Sequence, residues 1–327
     1  MDLPIPDDHP LMTPVMLRRE LVRGPYDDRA IARAVQRGEL VKVRRGAYVA
    51  AAAHSGLDVA GRHGLRARAV VRQAKTTTAL SHVSALPFWG CPTWGFDLGS
   101  VHLTRSDGRA GRREAGVAQH CGTVLEGDLT ERSGVLTTSP ARLALEVTML
   151  GRTEAALCVV NDLLHRGLVT MDEITHRYLA AVQHGGQRGM RHWPHSLTTE
   201  HVLRLADGRL ESVGESRGLH LLWQAGLPLP VPQWEIRDET GRVVARLDFA
   251  WPDLGVWMEF DGKVKYAEHL RPGEDVTAAV LREKRREQEV VELTGWRPIR
   301  ADWADLAQPT ALASRVRRLL FPAGRAA

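Results

Sequence analysis

Two strands and a tight turn are written into Arg246-Leu247-Asp248-Phe249-Ala250-Trp251-Pro252-Asp253-Leu254-Gly255-Val256-Trp257-Met258-Glu259-Phe260-Asp261-Gly262. Side chains alternate across a strand, so residues of one parity share a face. Leu247 and Phe249 therefore point one way and Asp248 the other. Val256, Met258 and Phe260 point one way, and Trp257, Glu259 and Asp261 the other. If the four-residue turn pairs Ala250 with Gly255, the five apolar residues fall on one face and Asp248, Glu259 and Asp261 on the opposite one. Asp248 and Glu259 then become diagonal neighbours, roughly 7–8 Å apart at the backbone. Three carboxylates on one patch repel each other, and folding does not select that geometry for stability. A hard cation with oxygen ligands resolves the repulsion, and magnesium (or manganese) held by carboxylates and a substrate phosphate is the usual solution. Such an ion activates water and stabilises the leaving oxygen of a phosphodiester. Lys263 and Lys265 follow with the same parity and are candidates for neutralising transition-state charge or positioning the attacking water. The plain alternative is the solvated polar face of an antiparallel sheet.

Upstream, a helix is predicted over 208–224, carrying Glu211 and Glu215 one turn apart. Gly226 and Pro228 end it, and Gln233-Trp234-Glu235-Ile236-Arg237 alternates as a strand. Glu215 is a candidate further metal ligand. Downstream, a basic helix is predicted over 280–293, with Lys284, Arg285 and Arg286 among Glu283, Glu287 and Glu289, and Gly295-Trp296-Arg297-Pro298-Ile299-Arg300 forms a short closing strand. Lys284 and Arg285 are candidate DNA contacts.

The residues Glu215-Ser216, Pro228-x-Pro230-x-x-Gln233, Ala245-Arg246-Leu247-Asp248-Phe249-Ala250-Trp251-Pro252, Glu259-Phe260-Asp261-Gly262, Glu283-Lys284-Arg285-Arg286 and Gly295-Trp296 together resemble the PD-(D/E)XK nuclease superfamily, and more closely its very-short-patch-repair branch. The resemblance implies a restriction-endonuclease-like αβββαβ domain over 205–327, with Asp248 and Glu259 as metal ligands. The usual Glu-x-Lys is not met: Asp261 stands where the lysine is expected, with Lys263 the closest substitute and Lys265 or Lys284 behind it. That departure leaves room for a silent domain.

At the other end, residues 1–12 are rich in Pro and Asp and are expected to form a flexible arm. Thr13 with Pro14 signals a helix to about Val22, and Asp27 or Asp28 caps a second helix ended by Gly38. Residues 39–43 and 47–49 are short strands about the turn Arg44-Arg45-Gly46. Residues 13–55 thus have the outline of a winged helix-turn-helix. Arg29, Arg33 and Arg37 share a face of the second helix, and Arg44 and Arg45 sit at the wing tip, an arrangement suited to a DNA groove and its flanking phosphates. The bland alternative is a solvated arginine stripe. Over 56–195 a mixed α/β middle region is expected, with helices near 64–74, 139–149 and 154–166 and a β-rich part over 100–135. Thr77–Leu86 reads as a helix start carrying His82. That histidine hydrogen-bonds within the helix or, as the functional alternative, binds phosphate or acts as a base. Residues 183–189 are Gly-rich but lack the Lys-Ser/Thr of a P-loop, so they are read as a linker. Arg44-Arg45-Gly46-x-Tyr48, Ser81-His82-x-Ser84-Ala85 and Thr137-Thr138-Ser139-Pro140-x-Arg142 resemble AbiEi-type antitoxins of type IV toxin–antitoxin systems. What this implies is DNA binding, autoregulation and a cognate toxin as partner.

The bulk composition is compatible with these readings. The 327 residues call for more than one core; the chain as a whole is α+β and multidomain. Net charge is +5, with 44 Lys+Arg against 39 Asp+Glu, and Arg greatly outnumbers Lys, which suits phosphate and base edges. Cys91, Cys121 and Cys158 form no CxxC pair, so no disulfide scaffold or cysteine zinc site is expected. Neither a leader nor a membrane span is evident, and a cytoplasmic location is expected.

Overall fold

The computed structural model describes Pro6 and residues 9–105, 107, 111, 113, 114, 116–180, 190–262 and 276–322. It is mixed α/β with three sheets, and the chain divides into two compact units, Met1–Arg204 and Leu205–Ala327.

In the first unit the chain enters through a 3-10 turn, Pro10–Met12, whose Leu11 is buried, so the expected arm is anchored at its end. The helix expected from Thr13 is replaced by β1 (Met16–Leu17) and a single turn, α1 (Arg18–Leu21). Pairing of Met16 with Tyr48 and Leu17 with Ala47 outweighs the capping signal, and the Glu20 carboxylate takes the Leu17 N–H at 3.0 Å, starting the helix there instead. α2 (Asp28–Gln36) is capped by Asp27, which accepts from the Ala30 N–H at 2.6 Å. β2 (Leu40–Arg44) and β3 (Ala47–Ala50) form the hairpin, giving a sheet of order β1-β3-β2.

α3 (Ala51–Ser55) and α4 (Val59–Gln73) lead into β4 (Thr78–Leu80), where a helix start was expected. All three β4 residues are buried and the strand is central, so pairing on both edges prevails over local helix signals. After α5 (Leu86–Trp89) come β5 (Val101–Arg105), β6 (Arg113–Glu114), β7 (Val117–His120), β8 (Leu129–Arg132) and β9 (Val135–Thr138). They complete a six-stranded sheet of order β6-β7-β5-β4-β9-β8. Leu65 and Ala69 of α4 pack with Leu80, Val101, Leu103 and Val117 on one face, in one core with Leu17, Ala47 and Val49 of the small sheet. By alternation His102 and Thr104 point to the other face, toward α6 (Pro140–Thr148). α7 (Thr153–His165), α8 (Met171–Leu179) and α9 (Ser196–Leu205) follow.

The second unit runs α10 (Val213–Gln224), β10 (Val231–Arg237), β11 (Val243–Trp251), β12 (Val256–Asp261), α11 (Val276–Thr294), β13 (Arg297–Asp302), α12 (Trp303–Leu306) and α13 (Pro309–Leu320). Its sheet has order β10-β11-β12-β13. The first three strands are antiparallel, and α11 lies in the connection to β13, which is parallel to β12, as such a crossover allows. Phe249, Val256, Met258 and Ile299 pack with Leu219 and Leu222 of α10 and Val316 of α13. Ala250 and Trp257 pack with Val290 of α11. Among the described residues no helix is long and apolar enough to cross a membrane.

Candidate functional site

The acidic hairpin has a register one pair beyond the one expected. Trp251 pairs with Val256, Ala250 with Trp257 and Phe249 with Met258. The turn takes all four residues Pro252–Gly255, with Gly255 in the left-handed region (φ +60°). The shift of two residues preserves parity, so continuing it sets Asp248 opposite Glu259 rather than diagonal to it. The ladder opens there: the Asp248 carboxylate takes the Phe260 N–H at 2.8 Å. Leu247 departs from the expected face and packs with Ile236, Ala245, Ala250 and Trp257. Across from Asp248, Gln233 has a left-handed backbone (φ +53°) and drops out of the β10–β11 ladder, which breaks the alternation between Leu247 and Phe249.

Asp248, Glu259 and Glu215 are already committed. Glu259 is buried on the α11 side, paired with Arg286 and lying 3.7 Å from Arg300, which itself holds Glu287 at 2.6 Å. Arg286 and Val290 lie one turn apart, so one face of α11 supplies both the cation over Glu259 and the apolar contact over Trp257. Glu215 is buried and caps its own helix. It accepts from the Glu211 N–H at 3.1 Å, the Ser212 hydroxyl at 2.6 Å and the Gln233 amide at 2.9 Å, while Ser212 accepts the Glu215 N–H. Glu211 precedes the helix and pairs with Arg246 at 2.6 Å, so the two glutamates do not share a helix face. Asp261 is half-buried, opposite Asp302 in the parallel register. Lys263 and Lys265, and the Gly-rich stretch 183–189, lie outside the described residues. Asp248, Glu259, Asp261 and Glu215 form no group of three converging donors among the described residues. With Glu259 held by arginines, Asp248 by a backbone donor and Glu215 by its helix cap and Gln233, they do not fit a magnesium centre in this arrangement.

The cationic candidates divide differently. Arg29, Arg33 and Arg37 of α2 and its cap are exposed, opposite buried Ile31 and Ala34. Arg37 lies 3.8 Å from Glu39, a loose pairing. Arg45 is exposed at the hairpin turn; Arg44 is half-buried and, with Lys75 and Arg105, lines an open cleft of about 350 Å³. Lys284 and Arg285 are exposed on α11.

The strongest convergence of donor groups lies elsewhere, on the α6 side of the six-stranded sheet. One ring nitrogen each of His82, His102 and His120 lie within 4.8 Å of one another, the one such group among the described residues. His102 sits on β5, His120 ends β7, and His82 opens the 3-10 turn after β4. The rings of His82 and His120 stack at 3.8 Å, and His120 Nε2 lies 3.0 Å from His102 Nδ1. The Ser81-His82-x-Ser84 motif builds the frame. Ser81 Oγ is 3.0 Å from His82 Nδ1. Ser84 Oγ accepts the His102 N–H at 2.8 Å and sits 2.8 Å from Nε2 of buried His63, whose Nδ1 lies 3.0 Å from the Leu98 carbonyl. Beneath the cluster Glu146, wholly buried, accepts from the His82 N–H at 3.1 Å, Thr138 at 3.0 Å and Arg142 Nε at 2.8 Å. Arg142 continues to Asp128 at 2.6 Å, which Arg177 grips with two bonds. Burial works against the charge on Arg142, but Glu146 and Asp128 hold it above its ordinary value. Burial likewise pushes Asp128 up, and Arg177, the Leu125 N–H and Arg142 pull it down by more. Burial, then His120, His102 and Arg142, push His82 well below the usual histidine range, so it is neutral.

Sequence reasoning singled out His82 but placed it in a helix, and missed His102 and His120. Their only local signal is one face of two short strands, and the pairing of β5 with β7 is what brings them together.

No family model matches the chain. It is similar to Uncharacterized protein MT2308 of Mycobacterium tuberculosis (strain CDC 1551 / Oshkosh), 30% identical over 290 residues that cover 88% of this chain and 94% of that protein. Uncharacterized protein Rv2248 of Mycobacterium tuberculosis (strain ATCC 25618 / H37Rv) matches with the same identity and coverage. A match of that length is longer than either compact unit and so includes residues of both. The chain therefore belongs to the family of these mycobacterial proteins.

Proposed function

We propose that this chain is a DNA-binding protein, an antitoxin-like transcriptional regulator whose N-terminal winged helix-turn-helix engages duplex DNA and whose C-terminal restriction-endonuclease-like unit does not cleave it. The observation that carries the reading is the exposed stripe Arg29, Arg33 and Arg37 on the face of α2 opposite its buried residues, with Arg45 exposed at the hairpin turn. A helix presenting cations to a groove, flanked by a basic hairpin over the phosphates, is the footprint of winged-helix readers. The element order β1, α1, α2, β2, β3 with sheet order β1-β3-β2 supports it. A cognate toxin as partner belongs to the same reading. The test is a gel-shift titration of the full chain against duplex DNA. Arg33→Glu with Arg45→Glu is expected to weaken binding at least tenfold, most strongly at low salt; unchanged affinity removes the winged-helix reading.

One observation favours a second reading, a magnesium-dependent DNA endonuclease. The order αβββαβ carries Asp248 and Glu259 on the adjacent strands β11 and β12. It stands behind the first because Arg286 and Arg300 hold Glu259 and capping holds Glu215. Plasmid nicked in magnesium or manganese, with the activity abolished in Glu259→Ala, reverses that order.

A further inference from the structure

We propose that His82, His102 and His120 form a binding site for a zinc-class transition-metal ion, held by three imidazoles with further positions open to water or a ligand. The site is independent of the carboxylates of the second unit and of the arginine stripe.

Three observations carry it. The first is convergence: three elements deliver one ring nitrogen each to a space no more than 4.8 Å across. Two of those nitrogens, His120 Nε2 and His102 Nδ1, are 3.0 Å apart, about the bite of two ligands roughly 2.0–2.1 Å from one zinc. The second is backbone strain. His82 is a non-glycine residue in the left-handed region (φ +51°), at a cost of roughly 1–3 kcal/mol. The Glu146 carboxylate on its N–H and the paired strands around it hold that conformation, and the strain places the ring against His120. The third is the shell behind the ligands. Metal-bound histidines characteristically give their other ring nitrogen to a carboxylate or hydroxyl that fixes the tautomer. His82 Nδ1 has Ser81 Oγ at 3.0 Å and Glu146 Oε2 at 3.8 Å, which leaves Nε2 as its donor to the ion. Ser84, tied to the His102 N–H and to His63, fixes the start of β5.

The ligand set selects the ion. Neutral imidazoles suit zinc, copper, nickel, cobalt and iron, whereas magnesium and calcium demand oxygen donors. Glu146 lies 3.8 Å from His82 Nδ1, and Arg142 behind it is paired with Asp128 and Glu146. Three histidines, the whole of the group among the described residues, have the stoichiometry of zinc centres that keep an exchangeable position. His102 and His120 are only half-buried, so that position has access to solvent.

The full chain is stripped with chelator and dialysed against zinc or cobalt chloride. Metal content is then read by elemental analysis and, for cobalt, by visible absorption. The expected result is about one equivalent per chain, unaffected by excess magnesium, with an intense visible cobalt band. His102→Gln and His120→Gln, which keep a polar side chain without imidazole, are expected to lower zinc affinity about tenfold or more while the circular dichroism stays unchanged. A wild-type chain that takes up no zinc and no cobalt overturns the proposal, as do glutamine variants that bind as tightly as wild type. Should a variant not fold, the melting temperature of wild type decides: higher with zinc than with chelator supports the site, and the same in both overturns it.

Discussion

Glu146 has no exposed surface, yet it accepts from His82, Thr138 and Arg142 and so ties the 3-10 turn, β9 and α6 to one carboxylate. Arg142 is as deeply buried and spans Glu146 and Asp128. Removing the Arg142 guanidinium leaves the buried Glu146 carboxylate without its cation and Asp128 with Arg177 alone. Arg142→Met is expected to cost about 3–5 kcal/mol, read as a lower urea midpoint; a loss under about 1 kcal/mol means water or relaxation replaces the guanidinium. A second consequence concerns acid. Burial and the Arg66 guanidinium lower the pKa of His63 to about 4, against about 6.5 in an unfolded chain. Between those values the unfolded chain binds the proton and the folded one does not. The contribution of His63 is therefore complete above pH 6.5 and is lost as the pH falls toward 4. His82 is shifted in the same direction. Melting temperatures from pH 7 to 4.5 are expected to fall less steeply in His63→Gln than in wild type, and equal slopes would contradict the assignment.

At the scale of elements, Gly214 shows what holds the acidic hairpin in place. A Cβ at this first-turn position of α10 would lie 2.0 Å from the Phe260 ring, which packs edge-on against Trp303. The absence of a side chain lets α10 close on β12. Gly214→Ala is expected to destabilise the protein by about 1–3 kcal/mol or more through overpacking, seen as a lower melting temperature with far-ultraviolet dichroism retained. No loss of stability would mean that Phe260 has another place to go. Elements of this kind were legible where local chemistry decides them. The Asp27 cap, the helix expected over 154–166 and found at Thr153–His165, and the two strands flanking the turn at Pro252–Gly255 all follow from neighbours in sequence. What was not legible depends on partners far along the chain. Thr78–Leu80 is a strand because two other strands flank it. Glu215 is a capping residue because Ser212 and Gln233 reach it. His102 and His120 meet because parallel β5 and β7 set them on one face, and the 3-10 turn after β4 brings His82 to them.

At the scale of the whole molecule, the two units carry separate sets of exposed cations: Arg29, Arg33, Arg37 and Arg45 in the first, Lys284 and Arg285 in the second. A net charge of +5 spread over 327 residues gives little long-range pull, so affinity for DNA must come from local phosphate contacts. Each contact releases condensed counterions and adds about 0.9 to the slope of log affinity against log salt. The slope therefore counts which cations lie on the duplex, independently of overall affinity. Removing Arg33 and Arg45 together, as alanines, is expected to lower the slope by about 2. Lys284→Ala with Arg285→Ala separates the two functional readings. A regulator gripping DNA through its first unit keeps its slope, and this is the outcome we expect. A nuclease must bring the duplex to the hairpin beside α11, and the same double variant would then lose slope. A fall of about 1–2 in that variant, with the N-terminal substitutions silent, would move the DNA to the second unit and displace the regulator reading.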